Sequence, residues 1–160
     1  MALPTIDTFK GIFSPVHANR YQVELPAGYG LKANNLNELC DAVTLPGRNI
    51  STSEHPNGSQ IKKYPYSYIE DDVTMSFLED KHYVVRQYFD NWMGSILDTA
   101  KYRVAYKDDF AHDIKIKQMS KNGKEVYGVN LERAFPTTLN AVELSNGADE
   151  IVRITVTFAY

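Results

Sequence analysis

Glu150-Ile151-Val152-Arg153-Ile154-Thr155-Val156-Thr157-Phe158-Ala159-Tyr160 closes the sequence and decides how the rest of it is read. Val152, Ile154, Val156, Phe158 and Tyr160 fall on one face, with Arg153, Thr155 and Thr157 on the other. A period of two marks a strand with one face buried and the other in water. Ala134-Phe135-Pro136-Thr137-Thr138-Leu139 leads towards it through an Asn146-Gly147 turn. A terminal strand of this regularity is expected to belong to the fold and to offer an edge to a neighbour, which points to architecture and assembly before catalysis.

Working outward, the punctuation is that of a β-protein. Asn57-Gly58, Asn122-Gly123 and Asn146-Gly147 supply the positive φ angles that tight hairpin turns need. Strands are expected at Arg20 to Leu25, Asp41 to Leu45, Gln60 to Tyr66, Asp72 to Leu78, Asp113 to Met119, Glu125 to Leu131, Thr138 to Leu144 and Glu150 to Tyr160. Ile114 and Ile116 alternate with Lys115 and Lys117, so that strand has a wet face. Short strands at regular spacing predict an antiparallel sandwich or barrel.

One segment breaks the pattern. Val84/Val85, Tyr88/Phe89, Trp92/Met93 and Ile96/Leu97 recur in steps of three and four, which predicts an amphipathic helix over about 81–98. Glu79 and Asp80 precede it, where negative charge meets the positive end of the helix dipole. Its stripe, with Val85, Tyr88, Phe89 and Trp92 as core residues, is expected to cover one face of the sheet. Strands, one helix and more strands is not the βαβ alternation of a nucleotide-binding fold.

The stretch from about 47–64 is polar and rich in turn residues, and reads as a long loop. Long loops inside compact domains are functional or disordered. With no catalytic residues on it, the functional reading is assembly; the plainer one is a surface excursion.

At 160 residues, 43% hydrophobic and 23% charged, the chain fits one domain spanning 1–160. Its 11 tyrosines against the single Trp92 suit strands and half-wet contacts. Seventeen basic against 20 acidic residues leave a net charge of −3, and Lys62-Lys63 is the largest basic block, which argues against a tight phosphate-binding surface. Cys40 is the one cysteine and fits a reducing compartment. Met1-Ala2-Leu3-Pro4-Thr5-Ile6-Asp7 lacks the basic and apolar regions of a secretory leader, and no apolar run reaches the length of a membrane span. Synthesis in the cytoplasm, with no membrane partner, is the expectation.

Residues fit for chemistry are scattered. There is no phosphate-cradling glycine loop, no paired cysteine and no nucleophile elbow. His17, His55, His82 and His112 belong to different elements. Asp108-Asp109-Phe110-Ala111-His112-Asp113 is the best grouping for a cation, yet Asp and His are also ordinary linker residues. Cys40 sits in an apolar context with no base nearby in sequence, and Glu70-Asp71-Asp72 reads as a solvated turn. The chain is therefore expected to be no enzyme, with no catalytic, cofactor-binding or metal-binding residues and no cofactor.

Several blocks in order carry a further signal. Asn19-Arg20-Tyr21-Gln22-Val23-Glu24-Leu25 is followed by Cys40-Asp41-Ala42-Val43-Thr44-Leu45-Pro46-Gly47, then Asp72-Val73-Thr74-Met75-Ser76-Phe77-Leu78. Tyr88-Phe89-Asp90-Asn91-Trp92, Tyr106-Lys107-Asp108-Asp109, Ala134 to Leu139 and Ile154 to Tyr160 complete the series. Together they resemble the tail tube proteins of contractile-tailed bacteriophages, over nearly the whole chain from about Asn19 to Tyr160.

That resemblance implies an antiparallel β-sandwich or partly closed barrel with one flanking helix. It implies a virion structural protein whose copies form homohexameric rings, the rings stacking into the inner tail tube that conducts DNA during ejection. The tail sheath, baseplate and tape-measure proteins are its implied partners, with DNA in transient, non-specific passage, and the host bacterial cytoplasm its place of synthesis. Tubes of phage-derived injection devices are relatives. A baseplate tube initiator or tail terminator of the same fold is the alternative within that class, and a soluble ligand-binding β-domain, or an enzyme whose site assembles across subunits, the alternative outside it. The stretch 47–64 is expected to reach a neighbouring subunit or the next ring.

Overall fold

The computed structural model describes residues 16–29, 33–57, 60–98, 101–142 and 151–160. In chain order the elements are β1 (Tyr21–Glu24), α1 (Ala33–Glu38), β2 (Cys40–Val43), β3 (Arg48–Asn57) and β4 (Gln60–Glu70). Then come β5 (Val73–Leu78), α2 (Val84–Ile96), β6 (Leu97–Asp98), β7 (Arg103–Val104) and α3 (Lys107–Phe110). The chain finishes with β8 (His112–Met119), β9 (Glu125–Leu139) and β10 (Arg153–Ala159).

Six strands form one antiparallel sheet in the order β1-β8-β9-β10-β5-β2. Its centre is β10, whose Ile154, Val156 and Phe158 are wholly buried, as their period of two requires. β5 answers with Val73, Met75 and Phe77, and β8 with Ile114 and Ile116. The sheet folds over through β9. Up to Ala134 that strand pairs with β8, and from Phe135 to Leu139 with β10. The bend falls where the β8 register slips, at Arg133, which adopts a left-handed φ of 54°. The Asp113 carboxylate accepts the Arg133 backbone N–H at 3.0 Å and holds the bulge. The fold brings the two outermost strands together: the Tyr21 hydroxyl of β1 donates to the Cys40 carbonyl of β2 at 2.9 Å. No backbone ladder closes that seam, so the body is a sandwich-like fold and not a closed barrel.

α2 fills the interior of the fold. Its buried residues are Val85, Tyr88, Phe89 and Trp92, spaced as the sequence requires. Phe89 meets Phe77 and Phe158 at ring separations of 5.2 and 5.9 Å. Each such side chain contributes roughly 1.5–3 kcal/mol through burial. The polar ends of the buried aromatics are satisfied: the Trp92 indole N–H donates to the Phe110 carbonyl at 2.8 Å, and the Tyr88 hydroxyl to the Pro26 carbonyl at 2.6 Å. Glu79 caps the helix, its two carboxylate oxygens accepting the N–H groups of Val85 and Arg86 at 3.0 and 3.1 Å. Helix dipole and orphan donors are thus met by one residue.

Several expectations need correction. The helix is shorter than 81–98, because Tyr83 turns left-handed at φ 53° before it and Leu97–Asp98 pair with β7. It is also not alone: α1 and α3 are short helices among the described residues, too brief to show a 3.6-residue period in sequence. The two strands expected at Glu125 to Leu131 and Thr138 to Leu144 are one strand, β9, extending to Leu139. Pro136 does not end it: it opposes Phe158 of β10 and is itself buried. The Asn122-Gly123 turn is present, with Gly123 at φ 70°, whereas the Asn146-Gly147 turn lies outside the described residues. The largest correction is to the long loop at 47–64: the strand expected at Gln60 to Tyr66 lies within β4, but Arg48–Asn57, read as loop, is its partner β3, and the two form a hairpin.

Candidate assembly surface

β3 and β4 pair antiparallel from Asn57↔Gln60 to Arg48↔Glu70, with one slip between Ser51 and Thr52. Opposite Ser51 and Thr52 stand Ser67 and Pro65, which leaves Tyr66 as the extra residue of a bulge. At about 3.4 Å per residue the ten residues of β3 extend roughly 34 Å. Every residue of β4 is exposed, and among the described elements β3 and β4 have each other as their only substantial packing partner. The hairpin is rooted where Asp71 donates its N–H to the Gly47 carbonyl at 3.1 Å and accepts from the Asn49 amide at 3.1 Å. A Cβ at Gly47 would come within 2.4 Å of the Asp71 carboxylate, so this root requires glycine or a displaced aspartate.

The faces of the hairpin follow from its register. Arg48, Ile50, Thr52, Glu54 and Pro56 share one face with Glu70, Tyr68, Pro65, Lys63 and Ile61. Lys63 and Glu54 form an ion pair at 3.2 Å across it, an exposed pair contributing at most about 1 kcal/mol. Tyr68 donates to Glu70 on the same face, and that bond is the main reason its hydroxyl holds its proton above the usual tyrosine range. On the other face His55 and Tyr64 meet with ring centres 5.8 Å apart. Ile50, Ile61, Tyr64, Tyr66, Tyr68 and Ile69 are all more than half exposed. Six large apolar side chains along one bare hairpin are far more than scattered surface hydrophobics amount to.

The residues considered for chemistry do not converge. Asp108 pairs with the Arg133 guanidinium, Asp113 takes the Arg133 N–H, and the His112 Nε2 meets the Tyr29 hydroxyl at 2.8 Å. His17, His55 and His82 lie on separate segments, and no group of three metal-capable side chains forms among the described residues. Cys40 is pushed up to about 11, first by burial, so its thiol stays protonated at neutral pH and is a poor nucleophile. Burial likewise raises Tyr21 to about 12. Glu70 and Asp71 belong to the hairpin root, with Asp72 beside them. Among the described residues, no helix is long and apolar enough to cross a membrane.

The described residues build a folded β-body from which a rooted, unburied hairpin stands out. The chain belongs to the phage tail tube protein family, whose model matches residues 16–160. No curated protein matches it in sequence. Solved structures match it closely in fold. One is a chain of the baseplate of the anti-feeding prophage, at TM-score 0.69 and 12% identity, covering 92% of this chain and 93% of that one. Two others come from PVC, an extracellular contractile injection system. Its sheath/tube terminator in the extended state matches at TM-score 0.68 and 18% identity over 92% and 93% of the two chains. Its sheath-tube complex matches at 0.66 and 18% over 96% and 93%. At such identities the likeness is one of fold.

Proposed function

We propose that this chain, acting as a single domain over 1–160, is the subunit of a homohexameric ring, and that its rings stack into the inner tube of a contractile tail. The tube would conduct DNA during ejection. The tail sheath would surround it, the baseplate would start it and a tape-measure protein would set its length. No step in that role calls for catalysis. The hairpin carries the proposal: it is long, exposed throughout and studded with six large apolar residues that its own body leaves uncovered. A head-to-tail contact that closes on rotation gives a ring, and repetition along the axis gives a tube. The hairpin supplies the contact, either with the neighbour in the ring or with the next ring, and it orders fully when seated.

The fold is shared by chains named for a baseplate and for a terminator, so a single-ring role is the second reading. Electron microscopy of the purified protein over a concentration series, alongside its mass in solution, separates the two. Hollow sixfold tubes are expected. Rings that never stack would assign the chain to an initiator or terminator. Deleting Ser51 to Ser59 should leave a folded subunit that forms no tube, and normal tubes from that variant would defeat the role given to the hairpin.

A further inference from the structure

We infer that the hairpin of one copy seats Tyr66 in the cleft between the end of α2 and β9 of a neighbouring copy. The inference rests on the assembly proposed above and names the surface that its hairpin meets. A head-to-tail contact joins two different patches, so a chain that extends a bare arm must also carry an unlike surface to receive it. The cleft at the end of α2 has the character required. It measures about 540 Å³, with Met93, Ile96 and Leu97 on one side and Phe135 and Pro136 on the other. Val104 stands opposite Leu97 in the β6–β7 ladder, so it continues the same apolar face, and it is 70% exposed. Tyr102 and Tyr106, two residues to either side of it, are barer still.

Gly94 lines this cleft, and nothing in the subunit explains it. It lies within α2, where glycine costs stability relative to alanine. A Cβ added there would meet nothing within 4 Å among the described residues. Neither a turn nor crowding within the chain therefore asks for glycine, whereas a close approach from outside does. Tyr66 is suited to make that approach. It is the extra residue of the bulge and, at 71%, the most exposed of the hairpin's large apolar side chains. At about 3.4 Å per residue it stands roughly 15 Å out from the root. A tyrosine ring fills an apolar cleft while its hydroxyl stays at the wet rim. Among the described residues the hairpin has no substantial packing on α2 or β9 of its own chain, so the fit is one between copies. The size also agrees: the six bare side chains offer on the order of 500 Å², most of the roughly 800 Å² that each partner buries in a standard interface.

Gly94→Phe tests the cleft without disturbing the core. The added ring enters open space on the subunit, so the urea midpoint should stay at or above that of the parent, while the yield of tubes in sedimentation falls at least tenfold. Tubes in normal yield would overturn the inference. Crosslinking tests the pairing itself. In a Cys40→Ser background, Ser67→Cys and Thr137→Cys put one thiol beside Tyr66 and one on the cleft wall, both at exposed positions. A short bismaleimide should join subunits covalently in tubes, and at least tenfold less in free subunits. Ser67→Cys combined with Lys121→Cys, in the turn beyond β8, should stay unjoined. Tubes in which the first pair is not joined, or in which both pairs are joined alike, would overturn the inference even if Gly94→Phe failed to fold. If the parent forms no ring or tube, or the variant lacking Ser51 to Ser59 forms tubes normally, the assembly reading fails first and this pairing falls with it.

Discussion

In β5 every second side chain is wholly buried, whereas along the eleven residues of β4 none is buried at all. The two strands are joined by only Asp71 and Asp72, so the chain passes within two residues from a rooted hairpin into the middle of its core. β5 is held by burial on its inner face and by ladders to β10 and β2 on its edges. Among the described residues β4 has its ladder to β3, the exposed Lys63–Glu54 pair, the Tyr68–Glu70 hydrogen bond and the contact of Tyr64 with His55. A lone two-stranded hairpin in water is marginal, and three or more strands with a buried face are needed for independent stability. The body therefore carries its own stability, and the partner proposed for the hairpin would supply what it lacks.

Truncating a core residue is the strongest way to break this comparison. Trp92→Ala removes a wholly buried indole and its bond to the Phe110 carbonyl, and should cost about 3–5 kcal/mol in urea unfolding of the subunit. A loss close to zero would mean that α2 does not hold the body together. Alkaline pH is the next lever, again on the body alone. Cys40 and Tyr21 have their ordinary values of 9.0 and 10.0 raised to about 11 and about 12, first by burial, and burial raises buried Tyr88 as well. The folded state then holds these protons more tightly than the unfolded chain. Their contribution is complete below 9 and is lost as pH climbs towards 12. Urea midpoints should fall across that window, and less so in a Tyr21→Phe, Cys40→Ser variant; a flat midpoint would show that the seam between β1 and β2 is open to water.

Glu79→Ala should cost about 0.5–2 kcal/mol, since the N–H groups of Val85 and Arg86 lose their acceptors. An unchanged denaturation midpoint would mean that water caps α2 equally well. The smallest effect on the subunit sharpens the comparison most. Ile50→Ser with Tyr66→Ser should alter subunit stability by no more than about 0.5 kcal/mol, because neither side chain is buried. The same pair should abolish tubes in sedimentation. Unfolding of the subunit, or tubes in normal yield, would each remove the distinction between body and hairpin.

The difference between the two regions also explains which of them the sequence revealed. Ile154, Val156 and Phe158 alternate with polar residues because one side of β10 is packed, and packing imprints a period. Val85, Tyr88, Phe89 and Trp92 gave α2 for the same reason, although its ends, set by the left-handed Tyr83 and by pairing to β7, left no such mark. The hairpin buries neither face, so nothing imprints a period on Arg48-Asn49-Ile50-Ser51-Thr52-Ser53, and its serines and asparagine read as a loop. One signal was present: Tyr64, Tyr66 and Tyr68 stand two apart, as strand residues do. The bend at Arg133 was hidden because nothing but an αL backbone at a non-glycine residue marks it. Half of the hairpin was therefore legible, as the strand expected at Gln60 to Tyr66 that lies within β4, while its partner β3 was not.

Amide hydrogen exchange, followed residue by residue in free subunits and in assembled tubes, tests the division most directly. The amides of β5, α2 and β10 should be slow in both states, while those from Arg48 to Glu70 should exchange rapidly in the subunit and become slow in the tube. Hairpin amides as protected in the free subunit as in the tube, or still rapid once tubes have formed, would contradict the claim that a partner completes this strand pair.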